Sequence, residues 1–533
     1  MSGGKWEIEK VKSNGMEKRV LRLIIATKAV MISLLFGVIG KMYAYDFSAV
    51  CETGQTLYYR ITNANNHYVE LTYPGRIDYN GWSGYTKPTG NIILPENIQY
   101  NDVTYSVTSI SHYAFSGCSD LTGNLTIPNS VITIGRNAFS GCSGFTGSLT
   151  IPNSVTSIGS AAFHGCSGFN GNLTIPNSVT TIGKNVFSDC SGFTGSLTIP
   201  NSVTTIGEYA FYWCSGFTGS LTIPGSVTTI GNLAFCGCSG LTGCLIIPNS
   251  VISIGSYAFY GCIGFVGNLI IPNSVTTIGY DAFYGCSGLI GRLTIGNSVT
   301  TIGNYAFENC SGLTEIMMLG TIPPSLGSNV FFPYNCPIYV LYESLNDYKN
   351  AWNWYSSRIF PWLQKSISGY GTDDNNWAFL ASPLLDSIAP TTVDNLITET
   401  AYDLYQFSPS DTLGEWQNYK AHTDDFSLVN GQGYLYANED EVNIIFKGEF
   451  NEDDIKEVNL VYDANDERKC WNLVGNPFPC NAHLDRDYYV LNANGTGINP
   501  VALLASTPIP PCTAVFVKAE ADGETVVFTR VAP

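Results

Sequence analysis

From Val107 to Leu313 the apolar positions of the chain recur every 24 residues. Phe115 and its successors through Phe307 keep this spacing, as do Cys118 and its successors through Cys310, over nine units. One unit reads GSLTIPNSVTSIGSAAFHGCSGFN, Gly147 to Asn170. Leu149 and Ile151 alternate with Ser148 and Thr150, which predicts a half-buried strand. Pro152, Asn153 and Ser154 end it, because proline lacks the ladder N–H and Asn and Ser favour turns. Val155 and Ile158 point inward along a second extended piece, and Gly159 permits the next bend. Ser160 to Cys166 reads as one helical turn that carries Phe163 and Cys166 into the core. No single unit can bury such a face, so the units must stack into a solenoid of about nine rungs.

An open stack exposes strand edges, which must be covered. Ahead of the repeats, LYYRIT (Leu57 to Thr62) and HYVELTY (His67 to Tyr73) predict a pair of strands that caps the stack. Behind them, Glu343 to Trp354 is amphipathic, with Leu345, Tyr348, Trp352 and Trp354 available to cover the last rung.

The string IPNSVTSIGSAAFHGCSG resembles the BspA-like class of leucine-rich repeats. The resemblance is most specific over Val107 to Leu313. It extends to Tyr45-Asp46-Phe47 and LYYRIT before the repeats, and to GTIPPSLGSNVF and CPIYVLYESLNDYKNAW after them. The unit is 24 residues long, where 23 is commoner in that class. The resemblance implies a secreted or surface protein of oral or gut anaerobes. It also implies attachment to host matrix proteins such as fibronectin and fibrinogen, or coaggregation with other bacteria.

Composition then divides the chain. Residues 1–44 have the layout of an export signal: Lys18, Arg19, Arg22 and Lys28 precede the apolar run Ala29 to Gly40, with a cleavage site at Met42-Tyr43-Ala44. Residues 45–106 form the N-terminal β cap, 107–313 the repeats, and 314–362 the terminal half-repeat and capping helix. Residues 363–533 carry 26 acidic and 9 basic side chains and predict an acidic all-β domain, packed as a sandwich. Within it WAFLASPL (Trp377 to Leu384) parallels WNLVGNPF (Trp471 to Phe478), and GYLYANEDEVNIIF parallels AVFVKAEADGETVVF, which predicts two similar β halves. Ser366 to Asn376 reads as a linker, with an independently folding domain behind it.

Net charge is −18, with only 25 Lys and Arg, which excludes a nucleic-acid partner. The membrane is involved only through the export signal or a surface anchor. Sixteen cysteines in an exported chain permit disulfides. The nine ladder cysteines are an odd number and, in register, point the same way, so they are read as buried free thiols. For Cys470, Cys480 and Cys512 both states stay open, one disulfide or none. Five His residues form no zinc-binding spacing. There is no nucleophile elbow and no P-loop, so no catalytic residue, metal or cofactor is expected, and a secreted hydrolase is a distant reading.

Aromatics exceed the needs of the core. Two variable positions flank each Ala-Phe pair: the first gives Tyr113, Tyr209, Tyr257 and Tyr305, the second Tyr212, Tyr260 and Tyr284, with Trp213 alongside. Tyr209, Tyr212, Trp213, Tyr257, Tyr260, Tyr284 and Tyr305 are therefore the candidate binding residues, set against the alternative that they only pack on one another. Aromatic rows suit a protein contact or a stacked sugar. The expectation is a non-enzymatic binding protein, an adhesin for an extracellular protein. The second reading is a glycan binder using these rows or the C-terminal domain.

Overall fold

The computed structural model describes residues 44–75, 82–367, 377–396, 402–407, 416–421, 426–438, 440–465, 470–491, 498–501 and 507–531. The expected export signal lies outside the described residues up to Ala44, as does most of the expected linker after Ile367. Contacts divide the chain into two compact units. One is Met1–Val266 with Gly279–Cys286, the other Gly267–Ile278 with Ser287–Pro533. The protein is mainly β, with a solenoid of about 11 turns. The expected nine rungs are exceeded because flanking segments stack too: Val103–Ile110 pairs with Thr133–Ile134, and Ser325–Leu326 with Thr301–Ile302.

In the first unit the rungs from Leu149 to Ile230 each contribute two strands of two residues. Leu149–Thr150 lies parallel to Leu173–Thr174, and Thr181–Ile182, Thr205–Ile206 and Thr229–Ile230 pair in register, always with the residue 24 positions away. Leucine and isoleucine face inward while the threonines of the first strand face water, as alternation requires. Behind the strands run two ring ladders. Phe115, Phe139 and Phe163 stack at centroid separations of 5.3 and 5.4 Å, and Phe145, Phe169 and Phe193 at 5.8 and 5.3 Å. Rungs approach so closely that a Cβ on Gly192 would lie 2.3 Å from the carbonyl oxygen of Phe169, so the glycine of each CSG triplet is a steric requirement.

The segment expected to be a helical turn is not one. From Gly159 to Cys166 the chain makes successive tight turns with left-handed residues at Ala161 (φ 56°) and Gly165 (φ 70°). The N–H groups alternate in destination. Ala162 and His164 donate back three residues within the rung, to Gly159 and Ala161. Ala161, Phe163 and Gly165 donate to Lys184, Val186 and Ser188 of the next rung. A helix would direct every N–H along its own axis. Here half of them are needed to join rungs.

The N-terminal cap is a meander in the first unit. Phe47–Val50 pairs antiparallel with Thr56–Asn63, which pairs antiparallel with Tyr68–Thr72. Tyr68–Thr72 then lies parallel to Val103–Ile110, the first strand of the stack.

In the second unit the helical cap is one short helix, Leu345–Ala351. Leu345, Tyr348 and Trp352 are buried as expected. The Tyr348 hydroxyl donates to Gly320 O at 3.0 Å and the Trp352 indole N–H to Pro324 O at 3.0 Å. Trp354 does not join them. The helix stops at Ala351, and the 3-10 turn Asn353–Arg358 leaves its ring 93% exposed.

The strands that follow are β1 (Ile359–Ile367), β2 (Ala378–Ala381), β3 (Tyr402–Phe407), β4 (Trp416–Asn418), β5 (Gly433–Asn438) and β6 (Val442–Lys447). A second set comprises β7 (Ile455–Asn459), β8 (Trp471–Gly475), β9 (Ala482–Leu484), β10 (Tyr488–Leu491), β11 (Ile498–Val501), β12 (Ala514–Lys518) and β13 (Thr525–Arg530). One sheet has the order β2-β5-β3-β4, the other β8-β12-β10-β11, the same arrangement of first, fourth, second and third strand. β1 pairs antiparallel with β6, and β7 with β13. The correspondence therefore begins at Ile359, ahead of the compositional change. Each half has its own core, Leu404, Tyr436 and Phe446 in one and Val474, Val517 and Phe528 in the other. The halves share an apolar layer of Phe379, Ala381, Leu473 and Ala514. All sixteen cysteines are free, so Cys480 and Cys512 are separate thiols.

β1 also extends the solenoid. It lies parallel to Ile338–Leu341, the last strand of the parallel ladder. Its other edge is closed by antiparallel β6, with Leu363 opposite Phe446 and Lys365 opposite Ile444.

Candidate functional site

The turn that presents the aromatic residues has two left-handed positions per rung. The first is occupied by Asn137, Ala161, Asn185, Tyr209, Leu233 and Tyr257 among others, the second by Gly117, Gly141, Gly165, Asp189, Trp213, Gly237 and Gly261. A positive φ brings Cβ against the following carbonyl, a strain that only glycine, and to a lesser degree Asn and Asp, escapes. Trp213 therefore occupies a glycine slot, at φ 54°. Its N–H donates to Cys236 O at 2.8 Å, as its counterparts do to the rung above. Its ring leans over the next rung, where a Cβ on Gly237 would come within 3.1 Å of the indole. The other face of the side chain is open, with 52% exposure.

Around it the structure gathers Tyr212, edge-on at 6.2 Å, and Tyr209, edge-on to Tyr212 at 5.4 Å. Lys184 approaches the Tyr209 ring at 5.8 Å and pairs with Glu208 at 2.7 Å. A second group lies two rungs on. Tyr260 and Tyr284 stack at 5.0 Å with 7° between planes, and Tyr257 contacts Tyr260 at 5.8 Å and Tyr280 at 5.3 Å. Removal from water, the Asp281 carboxylate and Tyr280 push the Tyr257 hydroxyl up to about 12. Tyr212, Cys236, Tyr260 and Tyr284 hold the same place in successive rungs. Cys236 is buried between the groups, and burial pushes its thiol up to about 11. Six of the seven candidates thus fall in one row of the first unit. Tyr305 belongs to the other unit, where its N–H donates to Ser328 O at 2.8 Å.

Sequence reasoning passed over Tyr280, Asp281 and Lys184. Tyr280 and Lys184 lie just after the glycine that ends the second strand, at a position that varies as freely as the two singled out. The strain at Trp213 was visible as a tryptophan aligned with glycines at 24-residue spacing. Chemically the row offers flat rings, hydroxyls and one ammonium–carboxylate pair. Among the described residues no three His, Cys, Asp or Glu side chains are grouped to hold a metal. No helix among them is long and apolar enough to cross a membrane.

The fold and this surface define a leucine-rich repeat solenoid. The BspA type leucine rich repeat region matches in six copies, over residues 94–218, 170–246 and 242–350. Residues 94–350 are thus a run of BspA type leucine-rich repeats. Several crystal structures are similar. A leucine-rich repeat protein from Bacteroides ovatus is 24% identical over 60% of this chain and 100% of its own, with a TM-score of 0.33. A leucine rich cell surface protein from Faecalibacterium prausnitzii is 22% identical over 52% of this chain and 95% of its own, at 0.24. The pneumococcal vaccine antigen PcpA is 16% identical over 59% of this chain and 97% of its own, at 0.26. No curated protein matches the chain.

Proposed function

We propose that this is a non-catalytic binding protein of the bacterial exterior, which holds an extracellular protein ligand against the row Tyr209, Tyr212, Trp213, Tyr257, Tyr260 and Tyr284. The observation that carries the reading is Trp213. A half-exposed tryptophan stands at a backbone position that glycine fills in six other rungs. Such strain is retained where the side chain does something the fold does not need. Rigid, exposed Tyr and Trp are also the residues that dominate protein contacts. Export is supported by the layout of residues 1–44 and by the repeat family, and attachment to host matrix proteins follows from the same family resemblance.

The test separates the two roles of Trp213. Trp213→Gly relieves the left-handed strain and removes an anchor. Its melting temperature should rise or hold, while capture on immobilised fibronectin or fibrinogen falls by roughly 30-fold, the equivalent of about 2 kcal/mol. A variant that melts markedly lower, with capture unchanged, would show that the indole is packing and that the ligand sits elsewhere.

A further inference from the structure

A second surface, on the other unit, has the chemistry of a ligand site. Where the solenoid meets its capping helix, a cleft of about 760 Å³ opens between the turn Gly327–Asn329, the segment Phe332–Asn335 and the 3-10 turn Asn353–Arg358. This is within the roughly 300–1,000 Å³ typical of small-molecule sites. Its walls carry four aromatic rings of different status, Phe332, Trp352, Trp354 and Tyr355. Trp352 is buried and forms the floor. Phe332 is 53% exposed and Trp354 is 93% exposed. Trp354 has more of its surface in water than any other large apolar side chain described.

Beside Leu326 and Ala351, the lining carries the amides Asn304, Asn329 and Asn335 and the hydroxyls Ser328 and Ser357, with Asn329 and Asn335 exposed. The one charge is Arg358. Its Nε and one Nη donate to Cys336 O at 3.0 and 2.8 Å, and its guanidinium lies 5.2 Å over the Tyr355 ring. Arg358 is thus committed to bracing Tyr355, whose ring in turn packs edge-on against Phe331 at 5.8 Å. The platform behind Trp354 is therefore preorganised, which lowers the cost of ordering it when a ligand arrives.

We infer that this cleft binds a neutral oligosaccharide, with a pyranose ring laid against Trp354 and its hydroxyls taken by Asn329 and Asn335. The match is chemical. A sugar ring has a C–H face that packs on an indole and a rim of hydroxyls that both donate and accept, as amide side chains do. A peptide anchored by apolar side chains would want closed pockets rather than a bare ring. A polyanion would meet a protein of net charge −18 with its only local cation already engaged. The inference does not rest on the aromatic row of the first unit.

Titration of the full chain with soluble neutral gluco-, galacto-, manno-, xylo- and N-acetylhexosamine oligosaccharides, read by calorimetry and tryptophan fluorescence, tests it. At least one series should bind. Trp354→Ala should weaken that binding by roughly tenfold or more, Trp354→Phe by less, and Trp213→Gly not at all. Because the Trp354 ring is in solvent, both of its variants should melt like the parent. Absence of binding across the panel overturns the inference, as does binding indifferent to Trp354→Ala. A preference for uronate or sialylated chains, or for a proline-rich peptide competing at the same tryptophan, would also overturn it.

Discussion

From Cys142 to Cys286 each ladder cysteine sits beneath a carbonyl that already has one partner. Phe139 O accepts the N–H of Cys142 at 3.1 Å, and its second lone pair receives the thiol of Cys166, one rung on, also at 3.1 Å. The same bond joins Cys190 to Phe163, Cys214 to Phe187 and Cys238 to Phe211, at 2.9–3.0 Å. The period of the cysteines was legible in the sequence, and so was their burial, since identical spacing means identical surroundings. What each sulfur faces was not, because a repeat reveals that environments are equal and not what they contain. Cys190→Ala should therefore lower stability by about 1–2 kcal/mol, from lost volume and a lost donor, whereas Cys190→Ser keeps a donor and should lose less. Equal losses in urea titrations would reduce the thiol to filler.

Burial also raises these thiols, Cys118 and Cys286 up to about 12, and it lifts Cys166 and Cys190 between them well above the ordinary thiol value. The unfolded chain ionises its thiols from about 8.5 and the folded chain does not. Stability is then fully present below that pH and is lost as pH rises toward the folded values, at about 1.4 kcal/mol per unit for each thiol. With a ladder of such groups, the urea midpoint should fall steeply between pH 8 and 10, ahead of tyrosine ionisation, which starts near about 10. A flat profile over that range would contradict the buried-thiol account.

At the scale of elements, patterning was informative wherever one face is apolar and the other wet. The paired strands ahead of the repeats and the burial of Leu345, Tyr348 and Trp352 follow from it. It failed at the turn after each second strand. Phe and Cys three apart suit a helix equally well, and nothing in a single rung discloses that alternate N–H groups are spoken for by the next. It also failed at Trp354, because three buried apolar side chains at helical spacing, Leu345, Tyr348 and Trp352, imply a fourth only if the helix continues. The cap can be dissected. Tyr348→Phe removes the bond to Gly320 and should cost about 1 kcal/mol. Trp352→Ala opens a cavity over the last rungs and should cost about 3–5 kcal/mol. Differential scanning calorimetry of the two variants checks both, and a larger loss for Tyr348→Phe would reverse the assignment of burial as the dominant effect.

At the scale of the molecule, the second unit shows how a parallel stack is joined to an antiparallel domain. Arg292 and Glu315 from the solenoid meet Asp394 and Lys447 from the domain. Arg292 contacts both carboxylates, and Lys447 lies 2.7 Å from Glu315 and 3.1 Å from Asp394. Burial works against the charge on Glu315, but hydrogen bonds from Lys447 and Arg292 outweigh it and hold the carboxyl below its ordinary value. The stability this supplies is present above the unfolded pKa of about 4.3 and is lost as pH falls through the lower folded value. Glu315→Gln should thus destabilise the protein at pH 7 and flatten its acid unfolding below pH 4, seen by circular dichroism. Sequence composition marked the charge change near residue 363. It could not mark β1 as common to both ladders, because strand pairing across 80 residues leaves no local trace. A fragment beginning at Ile359 should accordingly melt above one beginning at Ser366, which lacks most of β1 and leaves β6 unpaired. Equal melting temperatures would show that the domain has no need of that strand.

The rung-to-rung bonds have a consequence for heredity. Each of these donors reaches the equivalent acceptor of the neighbouring unit, so removing or duplicating 24 residues in the middle, Gly171 to Thr194 for example, leaves each remaining group facing an acceptor of the same kind. Rungs this alike in sequence can be gained or lost whole. Copy number can thus drift between descendants while both caps stay intact. The length of the stack is then a quantity that a lineage can tune in whole steps without having to reinvent a fold.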